Sequence, residues 1–177
     1  MKLERIRIEF DAEQDRLLMR ILIDGGAEVL LWLTRRCVQR LSTALLRMAE
    51  RKPEIQLQPS AEARTAILQF EHERALQQVK FARAGDEPPT AAPREQPLGG
   101  APLLVTRIQA RRMPDGRSQV GLLPSEGDGA HLTLTDNLLH GLMRLVHSAV
   151  EKADWNLNLE LPTVAPAPPE EAERTLN

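Results

Sequence analysis

Four polar side chains share one face of a predicted helix near the end of the chain, and three of them, two histidines and a glutamate, could transfer a proton or bind a metal. They are spaced at i, i+4, i+7 and i+11: His140, Arg144, His147 and Glu151. His140 and His147 are two helical turns apart, about 10 Å along the axis, so one ion cannot bind both. His147 and Glu151 are one turn apart, but no further ligand accompanies them. We interpret the row as a solvated polar stripe opposite an apolar face, and we predict no metal site.

The other reactive residues also lack the neighbours that catalysis requires. His72 stands between Glu71 and Glu73. Adjacent helical residues point in different directions, which predicts a surface cluster rather than a ligand set. Cys37 is the single cysteine, and its place in an apolar helical stripe predicts a small buried residue. A lone cysteine cannot form an internal disulfide and is typical of a reducing compartment. The sequence therefore predicts no enzyme, no catalytic residues and no cofactor.

The length of the chain limits the number of domains, and its charge and hydropathy argue against some classes of partner. The 177 residues are enough for one domain or two small halves packed together. A net charge of −2 gives no bulk electrostatic argument for a polyanion partner. The N-terminal residues lack the apolar stretch of a signal peptide, and the longest apolar run, Val29–Leu33, is far shorter than the roughly 20 residues of a membrane helix. We expect a cytoplasmic bacterial protein with no membrane partner.

The first third of the chain predicts a meander of three strands followed by a helix. Residues 3–10 alternate between charged and apolar side chains, which is typical of a half-buried strand. Strands over 16–23 and 28–33 follow short turns, and the glycines of the second turn favour a hairpin. Thr34 is predicted to cap a helix that Pro53 ends. Residues 55–59 alternate again and predict a short terminal strand.

The same order of elements returns about a hundred residues later. A predicted helix beginning at Ser60, with a strand over 65–70 as the alternative, precedes a Pro-rich segment that predicts a disordered linker. Strands are then predicted over 103–113, 117–123 and 131–134, followed by a helix capped by Thr135 and an alternating segment over 157–161. The remaining residues form an acidic, Pro-rich tail.

An internal repeat accounts for the second occurrence of the order strand, strand, strand, helix. Shifting the chain by 101 residues aligns Arg16–Lys52 with Arg117–Ala153 without a gap and gives eight identical pairs. Both copies contain a Leu-x-Leu-Thr junction between the third strand and the helix, ending at Thr34 and at Thr135. The apolar faces of the two helices also match, whereas their charged residues do not. We predict a duplication.

The predicted fold class is α+β, with internally duplicated antiparallel β-β-β-α(-β) units sharing one core, helices on one side of the sheet and a long disordered linker. The predicted boundaries, in chain order, are 1–59 for the first repeat, 60–84 for a connecting helix, 85–102 for the linker, 103–161 for the second repeat and 162–177 for the tail.

Function is expected on the solvent-facing side of the sheet. The residues predicted to bind a partner or nucleic acid there are Arg5, Arg7, Arg107, Arg111 and Trp32. The lack of a catalytic constellation favours a non-enzymatic interaction module that binds a protein or self-associates. The alternative is a single-stranded nucleic-acid-binding protein using the Arg-bearing face. Paired β-β-β-α units are similar in architecture, though in no sequence motif, to the PUR-type and whirly-type single-strand binders.

Overall fold

The fold is mixed α+β, as predicted. The computed structural model describes residues 3–80 and 95–159. The elements within these ranges are β1 (Leu3–Asp11), β2 (Arg16–Ile23), β3 (Glu28–Leu33), α1 (Arg35–Glu50), α2 (Pro53–Gln56), α3 (Ala61–Gln78), β4 (Leu103–Leu104), β5 (Arg107–Arg112), β6 (Ser118–Leu123), β7 (Ala130–Leu134) and α4 (Asp136–Ala153).

The first sheet has the order β1-β2-β3-β4. Its first three strands form the predicted antiparallel meander, and β4 pairs with β3 in parallel. Successive side chains of a strand point to opposite faces, so one face of β2 is buried through Leu17, Met19, Ile21 and Ile23. The opposite face of this sheet is only half buried.

A second sheet has the order β5-β6-β7, so the prediction of one shared sheet is wrong. The predicted strand over 103–113 divides between the two sheets. Val105 N donates to Trp32 O at 3.0 Å, and the next amide, Thr106 N, donates to Leu123 O at 2.9 Å. The chain therefore leaves β3 and joins β6 within two residues, which links the sheets covalently.

The two strand-to-helix junctions have the same local structure. Thr34 Oγ1 accepts a hydrogen bond from Cys37 N at 3.2 Å, and Thr135 Oγ1 accepts one from Leu138 N at 3.4 Å. Both threonines are extended N-caps, as predicted. The apolar faces of α1 and α4 then continue into one core cluster that contains side chains from both sheets.

Each half of the chain packs a helix against a strand of the other half. Helix α1 lies beside β5, and α4 lies beside β1, so each of these two helices covers the first strand of the other antiparallel meander. The two helices also contact each other, and α3 packs on α4. This arrangement agrees with a shared core, although the helices cover two sheets rather than one side of a single sheet.

The predicted terminal strands are not formed within the described chain. Residues 53–56 form the short helix α2, because Pro53 at its first position favours helix initiation there. Residues 157–159 form no strand, and the end of that predicted strand lies outside the described residues. A helix after Ser60 is formed as predicted, α3, with Ser60 Oγ accepting from Ala63 N at 3.1 Å. It ends at Gln78 rather than near residue 84, because Val79 is extended.

The predicted linker over 85–102 is partly folded. Glu95 O accepts a hydrogen bond from Glu28 N at 2.8 Å, and Leu98 packs against the core. Residues 85–94 and the predicted tail over 162–177 lie outside the described residues. Within the described ranges, no helix is long and apolar enough to cross a membrane.

Candidate functional site

The four arginines predicted to form one surface lie on two different sheets. Arg5 and Arg7 belong to β1, and Arg107 and Arg111 belong to β5. Arg7 lies 3.9 Å from the Glu9 carboxylate. Arg107 Nε donates to the Pro124 carbonyl at 3.1 Å, and Arg111 Nε donates to Gln119 Oε1 at 2.6 Å. Contacts within the protein therefore engage part of this charge, and the structure does not gather the four residues on one sheet.

Arg5 and Arg7 share the outward face of the first sheet with Trp32. We call this surface the Trp32 face. Cross-strand partners across it form the row Glu9, Leu18, Trp32 and Leu104 and the row Arg7, Arg20 and Leu30. Arg20 lies 3.6 Å from Glu9 and 3.9 Å from Glu28, so its charge is balanced by two carboxylates. The face thus combines a half-buried apolar row with ion-paired arginines.

A groove of about 850 Å³ runs between β1 and α4. We call it the β1–α4 groove. Its lining residues are Leu3, Glu4, Arg5, Ile6, Arg7, Ile8, Val79, Lys80, Leu138, Gly141, Leu142 and Leu145. Leu138 is 37 % exposed, one of four large apolar side chains that remain exposed in the described chain. Two of the five predicted site residues, Arg5 and Arg7, therefore line the β1–α4 groove, and Arg107, Arg111 and Trp32 are not part of its lining.

A buried polar cluster joins α1, α3, α4 and β5, and we call it the interhelix polar cluster. Lys52 Nζ, just after α1, donates to Glu71 Oε2 at 2.6 Å and lies 3.1 Å from Asp136 Oδ2. Arg112 of β5 donates to Asp136 Oδ1 at 3.0 Å. Burial acts to lower the pKa of Lys52, but hydrogen bonds to Glu71 and Asp136 outweigh it and raise that pKa above 10.5.

Next to this cluster, the side chain of His72 on α3 contacts that of His140 on α4. Their Nδ1 atoms are 3.1 Å apart, and the rings are edge to face with centroids 5.1 Å apart. The residues are 4 % and 1 % exposed. The predictions of a surface cluster at His72 and a solvated stripe at His140 are therefore wrong, because α3 docks on that side of α4.

A signal for this burial was present in the sequence of α3. Its buried residues Leu68, His72 and Ala75 are spaced four and three apart, which is the spacing of one helical face. Sequence reasoning missed it because the apolar residues of the helix do not follow one regular face and His72 has acidic neighbours. The other part of the predicted stripe is more open: Arg144 is exposed, and His147 Nδ1 lies 3.5 Å from Glu151.

The remaining reactive groups offer little chemistry. No group of three or more potential metal ligands occurs among the described residues. A second cavity, of about 640 Å³, has four basic residues in its lining, Arg51, Lys52, Arg112 and Arg117, of which the last three pair with an aspartate. Cys37 is buried, as predicted; burial raises the pKa of its thiol to about 11, although the nearby Arg40 acts in the opposite direction.

Comparisons with known protein families, with curated proteins and with solved structures found no match. Function has to be inferred from the chain's own residues.

Proposed function

We propose that this protein is a non-enzymatic, cytoplasmic interaction module whose protein-binding site is the β1–α4 groove. The observation that carries the proposal is the groove itself. It is large enough for several side chains of a partner, and apolar residues of β1, α4 and the chain after α3 form its walls. Concave, mostly apolar surfaces with a few charged groups are typical binding sites.

The placement of the reactive side chains supports binding rather than catalysis. His72 and His140 are buried against each other and line neither cavity. The Cys37 thiol is buried and has a raised pKa, so little thiolate forms near neutral pH. These groups stabilise the fold and are not accessible to a substrate.

The lining of the groove indicates the chemistry of its partner. Three basic residues, Arg5, Arg7 and Lys80, lie among apolar side chains, with Glu4 as the single acidic residue of the lining. A partner segment with apolar side chains flanked by acidic residues would complement this surface. Apolar contacts would supply most of the affinity, and the charges would orient the segment.

Two exposed leucines allow a matched test. Leu138→Asp places a carboxylate in the groove, whereas Leu57→Asp places one on the surface at a leucine that is 81 % exposed and does not line the groove. Proteins cross-linked in cells to the wild-type chain and to each variant are compared by quantitative mass spectrometry. We expect Leu138→Asp to lose at least one partner that Leu57→Asp and the wild type both retain.

Circular dichroism of each purified variant checks that the fold is intact. Identical partner profiles for the two folded variants would refute the groove as the binding site. A partner that Leu138→Asp loses should also bind the purified wild-type chain directly. Its affinity should fall as salt rises if acidic residues of the partner contribute to binding.

The Trp32 face supports a second candidate, single-stranded nucleic-acid binding. Arg5, Arg7 and Trp32 share this face, with β2 between the tryptophan and the two arginines. Aromatic rings on which bases stack, combined with basic residues along the backbone path, are typical of single-strand binding surfaces. Fluorescence anisotropy of a labelled single-stranded oligonucleotide, titrated at low and moderate salt, tests it. Binding that weakens with salt and is lost in Trp32→Leu would support this candidate; no binding at low salt would remove it.

The matched junctions also support an origin by duplication. Gly26 and Gly127, which the repeat aligns, have φ of 79° and 80°, and the two threonine caps bond equivalent amides. The reciprocal packing of α1 on β5 and α4 on β1 is what a pseudo-two-fold arrangement of two copies would give. Of the two capped helices, α4 contains the histidine that α3 covers, and α1 contains no histidine.

A further inference from the structure

The contact between His72 and His140 depends on protonation in a way that ordinary core contacts do not. With Nδ1 atoms 3.1 Å apart, one ring must donate its Nδ1–H to the lone pair of the other. A neutral pair satisfies this condition, and so does a pair that carries one added proton. When both rings are protonated, two N–H groups and two positive charges face each other, and the bond is lost.

The surroundings of the pair oppose added charge from several elements. Arg144 and His147 of α4 face His72, and Lys52 after α1 faces His140. Asp136 acts in the opposite direction on His140, but it is shared with Lys52 and with Arg112 of β5. His140 Nε2 is buried without a hydrogen-bond partner among the described residues, so a proton there would not be solvated.

Burial, and then the nearby cations, lower the pKa of both rings. For His140, the pKa falls from 6.5 to about 4, with burial as the main cause and His72 and Lys52 as further causes. For His72, the pKa is lowered by burial, then by Arg144 and His147. Both rings are therefore neutral when α3 is docked at pH 7, and protons bind more readily once α3 has left.

Helix α3 buries few side chains besides His72. Only Leu68, His72 and Ala75 are buried among its 18 residues, Ile67 is partly buried against the core, and Phe70 is 63 % exposed. Two further links of α3 are polar: Glu71 with Lys52, just after α1, and Gln78 with Asn137 of α4 at 2.7 Å. A helix held by so few apolar contacts can detach without unfolding the core.

We propose that the His72–His140 pair is an acid-sensitive latch, which holds α3 against α4 at neutral pH and releases it when both rings become protonated. The latch rests on the geometry of the pair and does not require the groove to be a binding site. If the groove does bind a partner, release changes it directly, because Val79 packs against Gly141 at the groove and follows α3.

Hydrogen exchange measured by mass spectrometry tests the latch on the full chain. Protection factors for α3 peptides and for α1 peptides, corrected for intrinsic rates, are compared between pH 7.5 and pH 5. A His140 pKa of 6.5 when α3 is released and about 4 when it is docked predicts, from this ring alone, a weakening of docking by about thirtyfold at pH 5. Docking also lowers the pKa of His72, so this factor is a lower limit for the pair. We expect α3 to lose protection by at least that factor while α1 keeps its own.

The variant His72→Leu/His140→Leu removes both bases and keeps an apolar seam, so α3 protection should become independent of pH. His131→Leu, on the exposed face of β7, is the matched control and should retain the full pH dependence. A thirtyfold change that persists in the double variant would overturn the latch. So would α3 protection that stays constant with pH in the wild type, or α1 and α3 losing protection together.

A second measurement keeps the proposal testable if the double variant does not fold. The ring signals of His72 and His140 are followed by NMR in the native chain from pH 8 to pH 4. Both should remain neutral to below pH 6, and their protonation should coincide with changes in α3 amide signals. Titration near 6.5 with α3 still docked would overturn the proposal.

Discussion

Replacing Lys52 by methionine should destabilise the protein strongly, although nothing in the sequence distinguishes this lysine from a surface residue. The methionine keeps much of the apolar stem and removes the ammonium. That group donates to Glu71 at 2.6 Å and lies 3.1 Å from Asp136. Its loss leaves the Glu71 carboxylate buried at the junction of α1 and α3.

The size of the effect follows from the burial of the pair. The side chains of Lys52 and Glu71 are 10 % and 12 % exposed, close to the fully buried case in which removing one partner costs 3–5 kcal/mol. Asp136 is more exposed and keeps Arg112 as a partner. We therefore expect a loss near the lower limit, about 3 kcal/mol. For a chain of this size, that corresponds to a fall in Tm of about 6–12 °C.

Urea denaturation and calorimetry of four chains measure the coupling: wild type, Lys52→Met, Glu71→Leu and the double variant. An apolar pair of similar volume can replace a buried ion pair at little cost, so the double variant should recover about 2 kcal/mol of the loss. A matched control is Arg117→Met, which removes an exposed ion pair with Asp115 and should leave Tm unchanged. If Lys52→Met is as stable as the control, the cluster does not stabilise the fold and the reasoning is wrong.

Three further predictions concern the backbone, the caps and the thiol. Gly129→Ala would place Cβ 2.3 Å from Leu122 O, so the β6–β7 connection must shift. We expect the free energy of unfolding in urea to fall by about 2–3 kcal/mol. An unchanged denaturation midpoint would contradict this close packing. Thr34→Ala and Thr135→Ala should each lower the free energy of unfolding by about 1 kcal/mol, since the two caps make equivalent hydrogen bonds. Clearly unequal losses for the two variants in urea denaturation would argue against matched junctions. Cys37, with a pKa of about 11, should resist a thiol reagent at pH 8 until the protein is unfolded, and rapid labelling of the native chain would refute its burial.

Local features of the fold could be predicted from the sequence because they depend on neighbouring residues. Alternation predicted β1, apolar runs next to turn residues predicted β2 and β3, and the apolar stripe of α1 predicted its buried face. The threonine caps were predictable because a hydroxyl can reach an amide three residues later in any chain that starts a helix there. The apolar periodicity of α1 also predicted correctly that Cys37 lies in the core.

Features that depend on docking could not be predicted. Residues 55–59 alternate as a strand would, but Pro53 starts a helical turn there instead. The division of residues 103–112 between two sheets depends on which strand each part meets in space. Trp32 and the two arginines of β1 share a face, whereas the arginines of β5 lie on another sheet because the halves do not form a single one.

The sequence by itself determined which side chains could do chemistry and where most of the helices and strands lie. Only the tertiary structure decided that His72 and His140, 68 residues apart, would be in contact, and that Lys52 would join them in the interior. The physical reason is that periodicity identifies an apolar face of one helix, whereas burial of a polar residue depends on the second surface that covers it. Here that surface is α3, whose own apolar pattern is too weak to indicate where it docks.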